Sequence, residues 1–189
     1  MATTAEDLVK HHRFTVEDYR RMGESGIFHE DDRVELIEGE VVEMAPIWSP
    51  HSGTNIRIHK RLEQAVGERA IVSSQNPITL DDFSEPQPDI ALLRPRDDFY
   101  SRSHPTPADV LLLIEICESS LRYDREVKLP LYARHGIPVV WLVDLLESHL
   151  LQFSQPAHTG YQTVDIADIG RPLSLPALPD LAVDLRGLF

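Results

Sequence analysis

Two carboxylates stand in stretches whose other residues are suited to a buried sheet. In DVLLLIEICESS, residues 110–116 are apolar apart from Glu115, the pattern of a central strand covered on both faces. Strict alternation puts Leu111, Leu113, Glu115 and Cys117 on one face and Val110, Leu112, Ile114 and Ile116 on the other. An ionised carboxylate left alone there would cost several kcal/mol to desolvate, so Glu115 demands a cation, a metal or a raised pKa. In EPQPDIALL, Pro86 and Pro88 hold the chain extended as Asp89 enters a second apolar strand. Two acids on two strands of one sheet can share a hard cation such as Mg²⁺. The competing reading has Asp89 capping a turn and Glu115 paired with a buried arginine.

A third group comes from the segment after Glu115. Asp124, Lys128 and Tyr132 recur at a spacing of four and so project from one side of a helix. Lys128 is one of three lysines against fifteen arginines. Unlike arginine, a lysine near an activated water can lose or share its proton. The alternative is a solvated Asp124–Lys128 pair.

The elements that would position these groups follow from periodicity and turn residues. Residues 1–13 read as a lead-in, and a 14–189 domain follows. Thr15, with Asp18 three residues on, caps a short helix edged by Tyr19 and Met22 and ended by Gly23 and Gly26. A hairpin pairs 33–37 with 40–44 around Glu38-Gly39. A helix of roughly 52–67 would bury Ile56, Leu62, Ala65 and Val66, while Arg57, Lys60, Arg61 and Arg69 form a basic face open to solvent or phosphate. Strands are expected at 70–74, 77–80, 89–93, 109–117, 138–144, 148–154 and 161–165. A helix of 124–135 is interrupted by Pro130, which would bend it or delay its start. A Pro-rich tail ends the chain. This order predicts an α/β (α+β) fold, a mixed central β-sheet flanked by helices.

Bulk properties narrow the function classes. The net charge of −13 excludes a broadly basic nucleic-acid-binding surface, leaving local patches or metal ions to meet phosphate. No apolar run is long enough to span a bilayer, and no signal-peptide pattern opens the chain, so no membrane role and a cytoplasmic location are expected. The single cysteine, Cys117, fits a buried structural thiol better than a nucleophile, since no histidine adjoins it and no G-x-S-x-G elbow exists.

Pro88-Asp89 followed by Glu115 on the next strand resembles the PD-(D/E)xK nuclease superfamily, except that the position two after Glu115, where that pattern has lysine, is Cys117. More narrowly, ELIEGEV, PHS, PQPDIALL, LLLIEICESS and YDREVKLPLYARHGIPVVWLVD, in that order over roughly 14–155, resemble the bacterial Uma family of restriction-endonuclease-like proteins. The resemblance implies a restriction-endonuclease-like fold and a lysine moved to the following helix, Lys128. It adds Glu35 as a fourth site acid and places His51 near the site. It further implies hydrolysis of DNA phosphodiester bonds by an endonuclease. Asp89, Glu115, the Ile116 carbonyl and Glu35 would hold Mg²⁺ or Mn²⁺, with Asp124 and Tyr132 in support and no small-molecule cofactor. A homodimer would be the simplest way to cut both strands. The alternative is a non-catalytic module that keeps the fold and binds nucleic acid or a partner.

Overall fold

The computed structural model describes residues 11–29 and 31–189; all but the last three residues of the expected lead-in lie outside it. Helix α1 (Val16–Glu24) starts at a capping box in which Thr15 and Asp18 satisfy each other's backbone N–H groups. The hairpin β1 (Val34–Ile37) and β2 (Glu40–Glu43) turns at Glu38 and Gly39, both at positive φ. Gly39 is required twice over, because an added Cβ would lie 2.6 Å from the Arg13 side chain. Helix α2 (Ser49–Val66) leads to strand β3 (Ile71–Ser74), then β4 (Ile90–Leu93) and β5 (Val110–Cys117).

Helix α3 (Leu121–Tyr123), a π-helical turn (Asp124–Lys128) and helix α4 (Leu129–Arg134) form one run. Strands β6 (Val139–Asp144), β7 (His149–Ala157) and β8 (Gly160–Ile166) follow, and a second hairpin, β9 (Leu173–Leu175) with β10 (Leu178–Val183), comes last.

The central sheet has six strands in the order β3-β4-β5-β6-β7-β8, antiparallel except for the β5–β6 pair. Parallel pairing of β5 with β6 requires a crossover, and the α3–α4 run supplies it. One face of the sheet packs on Ile58, Leu62 and Val66 of α2 and on the β9–β10 hairpin. The other packs on Leu129, Leu131 and Tyr132 of α4 and on Ile37 of β1. Every residue of β5 is buried, as its unbroken apolar run predicts.

Several expectations are corrected. Strict alternation along β5 fails at its start: Leu93 pairs with Val110 but Leu92 with Leu112, so Leu111 is an extra residue. This bulge sends Val110 to the face of Leu113 and Cys117, and Leu111 to that of Leu112 and Ile114. Ile56 is 65 % exposed, and Thr54, Asn55 and Ile58 take the buried side of α2 instead. Residues 77–80 form no strand; their amides bond separate loop carbonyls at Pro86, Pro105 and Ser84. The crossover run begins three residues earlier than expected. Pro130 ends no helix, because the wide turn before it already replaces the regular ladder with a Leu129 N–H bond to the Asp124 carbonyl. The basic face of α2 is largely committed: Arg57 donates to the Gly187 and Leu188 carbonyls, Arg61 to that of Asp184, and Arg69 pairs with Asp180. Those arginines pin the C-terminal segment to the core.

Candidate active site

Asp89 directly precedes β4, and its backbone is held from two sides. Its carbonyl accepts from the Gln75 N–H at 3.1 Å and the Asn55 side-chain amide at 3.0 Å. The Asp89 Oδ2 atom then accepts from the Ile116 N–H at 2.8 Å and faces His51 Nε2 at 3.1 Å. His51 lies in the first turn of α2, beside the Asp89 carboxylate. Glu115, on the adjacent strand, accepts from the Tyr132 hydroxyl at 2.6 Å and from Lys128 Nζ at 3.4 Å, both on Oε1. Its Oε2 lies 3.4 Å from the Asp89 N–H.

Glu35 enters from β1, a strand outside the central sheet. The Glu85 N–H bond to the Leu36 carbonyl (2.8 Å) docks that strand. Glu35 Oε2 sits 3.1 Å from Lys128 Nζ and accepts from the Gln87 N–H, and Oε1 accepts from the Tyr123 hydroxyl at 3.4 Å. Lys128 therefore bridges Glu35 and Glu115 and is 4 % exposed. A solvated Asp124–Lys128 pair is overturned, since both residues are buried. Asp124 accepts from the Cys117 thiol at 3.1 Å, so it does not hold the lysine directly. The arginine partner once open for Glu115 is likewise replaced by Lys128 and Tyr132.

Glu35, His51, Asp89, Glu115, Tyr123, Asp124 and Lys128 line one cavity of about 210 Å³, with Glu118, Arg33 and Trp48 at its wall. Among the described residues, four buried acids (Glu35, Asp89, Glu115, Asp124) share the cavity with one buried ammonium, Lys128, and with Arg33 at the wall. Burial is the largest influence on Glu115 and pushes its carboxyl up to about 8; Asp124 and Asp89 push the same way, against Lys128 and the Tyr132 hydroxyl. Burial works against the Lys128 ammonium, but Glu115, Glu35, Asp124 and Asp89 more than offset it and raise its pKa. Lys128 thus keeps its proton here rather than losing it. Burial, followed by Asp124, also raises the Cys117 thiol, which suits a structural role.

The donor set fits a hard divalent cation. Acids outnumber the cations that line the cavity among the described residues, and Glu118 Oε2, at the same wall, is buried without a hydrogen-bond partner among them. Among those residues no three His, Cys, Asp or Glu side chains converge closely enough to hold an ion by themselves. Asp89 and Glu115 would act as a pair, with carbonyl and water oxygens completing the shell, the habit of Mg²⁺.

Reasoning from sequence missed Tyr123 and the Gln87 N–H. Tyr123 adjoins Asp124 at a point where a regular helix would turn it away, and no pattern flags a backbone amide. The missed Glu118 stands three residues beyond Glu115, after the strand's alternation has ended.

No curated protein matched the sequence. A solved structure from Anabaena variabilis, described as a "putative nuclease belonging to DUF820", shares the fold with a TM-score of 0.70 at 17 % identity, over 93 % of this chain and 97 % of that one. The family model Uma2, described as "Putative restriction endonuclease", matches residues 16–186, and the chain belongs to that family.

Proposed function

We propose that this protein is a metal-dependent endonuclease that hydrolyses phosphodiester bonds in DNA. The observation that carries the reading is the buried Asp89–Glu115 pair, held at the start of β4 and on the adjacent β5, with Lys128 against Glu115 and Glu35 and Asp124 buried in the same cavity. Family membership supports nuclease chemistry. Asp89, Glu115 and the Ile116 carbonyl would hold Mg²⁺ or Mn²⁺, with Glu35 joining directly or through water. The Ile116 N–H already points at Asp89, and a strand residue's N–H and C=O share one edge, so that carbonyl is on the correct side. The ion would supply Lewis acidity at the scissile phosphate and lower the pKa of the attacking water.

The protein's own groups do the rest. His51 and the Ile116 N–H fix the Asp89 carboxylate, and Tyr132 fixes Glu115. Lys128, permanently charged, would orient the water and stabilise negative charge developing on the phosphate. Asp124 and Tyr123 support from behind, through Cys117 and Glu35. A symmetric dimer would carry two such sites.

The rival reading is a non-catalytic nucleic-acid- or partner-binding module, favoured by the −13 charge and by Cys117 in place of a strand lysine. Nicking of supercoiled plasmid in Mg²⁺ or Mn²⁺ separates the two. Cleavage by wild type, lost in Asp89→Ala and Lys128→Ala, is the expected result. Equal behaviour of all three proteins would remove the catalytic assignment.

A further inference from the structure

The loop between β2 and α2 is apolar and points outward. Residues 44–48 read Met-Ala-Pro-Ile-Trp, and all five line the candidate active-site cavity. Trp48 is 63 % exposed and Ile47 is 36 % exposed, beside a cavity otherwise walled by charged and polar groups. The loop is anchored rather than loose. The Met44 N–H bonds the Arg33 carbonyl at 2.8 Å, and the Arg33 guanidinium holds the carbonyl of Ala45. Trp48 is the N-cap of α2, three residues before His51, which contacts Asp89. One helical turn, about 5 Å of rise, therefore separates the indole from a residue touching the proposed metal pair.

Charge says what this surface does not do. Of the two strong cations that line the cavity among the described residues, Lys128 is buried between Glu35 and Glu115, which leaves Arg33, tied by one nitrogen to the Ala45 carbonyl, as the one cation at the rim. Duplex binding draws its affinity chiefly from cations set against two phosphate backbones. This rim offers an aromatic plane instead, and single strands are gripped by stacking unpaired bases on such planes.

Resting on the nuclease reading above, we infer that Trp48, flanked by Ile47, is a stacking platform for an unpaired nucleobase next to the scissile phosphate, which makes single-stranded DNA the preferred substrate class.

The test uses the full chain and its two tryptophans. Trp141 is fully buried, so exposed, red-shifted emission reports Trp48. A short single-stranded oligodeoxynucleotide in Ca²⁺ should quench that emission, and the same sequence as a blunt duplex should quench it less. In Mn²⁺, Trp48→Ala should raise KM for the single strand by about tenfold to a hundredfold with kcat little changed, the scale of losing one base–aromatic stack. Trp48→Phe should restore most of the loss.

If Trp48→Ala binds and cleaves the single strand like wild type while Asp89→Asn is inert, the platform is wrong and the nuclease reading stands. If wild type and Asp89→Asn are equally inert but the single strand still quenches Trp48, the base site stands and catalysis does not. A change of molar mass by light scattering in Trp48→Ala would assign the indole to a subunit contact and overturn the proposal. So would the absence of any quenching.

Discussion

Lys128→Met is the substitution whose consequences are most fully set by the geometry. The ammonium is 4 % exposed and lies 3.1 Å from Glu35 and 3.4 Å from Glu115. Its removal leaves the Glu35 carboxylate, and Glu115 at pH values where it is ionised, buried without their cation, a change that typically costs about 3–5 kcal/mol. For a chain of this size each kcal/mol moves Tm by roughly 2–4 °C, so a loss of about 10 °C is expected without metal. The loss has an electrostatic origin, and two further arms can show it. Glu115→Gln in the same molecule removes one of the stranded charges, so the double variant should be more stable than Lys128→Met alone, with a coupling energy of roughly 1–3 kcal/mol. Mn²⁺ should also stabilise Lys128→Met more than wild type, since the ion supplies the missing positive charge. Urea unfolding in EDTA and in Mn²⁺ measures all three effects. If Lys128→Met unfolds within about 1 kcal/mol of wild type and Mn²⁺ affects the two equally, the cluster is not the uncompensated acid site described above.

Four other outcomes follow from separate features. Glu115 ionises near 8 when folded and near 4.5 when unfolded, so metal-free stability should fall as pH rises between those values; Glu115→Gln should flatten that profile in calorimetry with EDTA. Tyr132→Phe deletes the 2.6 Å bond to Glu115 and, above the pH at which Glu115 ionises, should cost about 1.5–3 kcal/mol in urea unfolding, the range for a hydrogen bond to a charged group. Cys117, buried and with its thiol pushed up, should resist a disulfide reagent at neutral pH until urea unfolds the protein; prompt labelling of the native state would contradict its placement. The paired substitution Arg57→Ala and Arg61→Ala should raise amide exchange in the C-terminal segment while leaving plasmid nicking intact, because those guanidiniums hold its carbonyls rather than substrate.

What the sequence made legible was the placement of charge against pattern. Glu115 and Asp89 stood out because their neighbours are apolar; Glu115 lies within β5, and Asp89 lies one residue before the adjacent strand β4 rather than in it. Glu35 did not stand out. Its hairpin carries Glu38, Glu40 and Glu43 as well, and only docking against residues 82–85, a long-range event, separates the buried acid from the exposed ones. The same limit applies to α2. Its weak amphipathicity could not distinguish Ile56 from Ile58, and which side is inward depends on a C-terminal hairpin hidden among prolines. The bulge at Leu111 was invisible for a further reason: in a run apolar on both faces, one inserted residue leaves no mark on the hydrophobic pattern.

The position two after Glu115 shows how the site is balanced. That position shares a face with Glu115, and a lysine there would bring positive charge along the strand. Cysteine brings none. Its thiol is a weak donor, and it is spent on Asp124, whose buried carboxylate therefore remains a source of negative potential acting on both Glu115 and Lys128. The compensating charge arrives from the crossover run. There the five-residue π-helical turn Asp124–Lys128 closes with the Leu129 N–H on the Asp124 carbonyl, and it holds both Asp124 and Lys128 buried. Moving the lysine off the strand leaves four buried acids and one buried cation in the cavity among the described residues, a poor arrangement for stability alone. It is the arrangement expected of a site that completes its charge with an ion from solution.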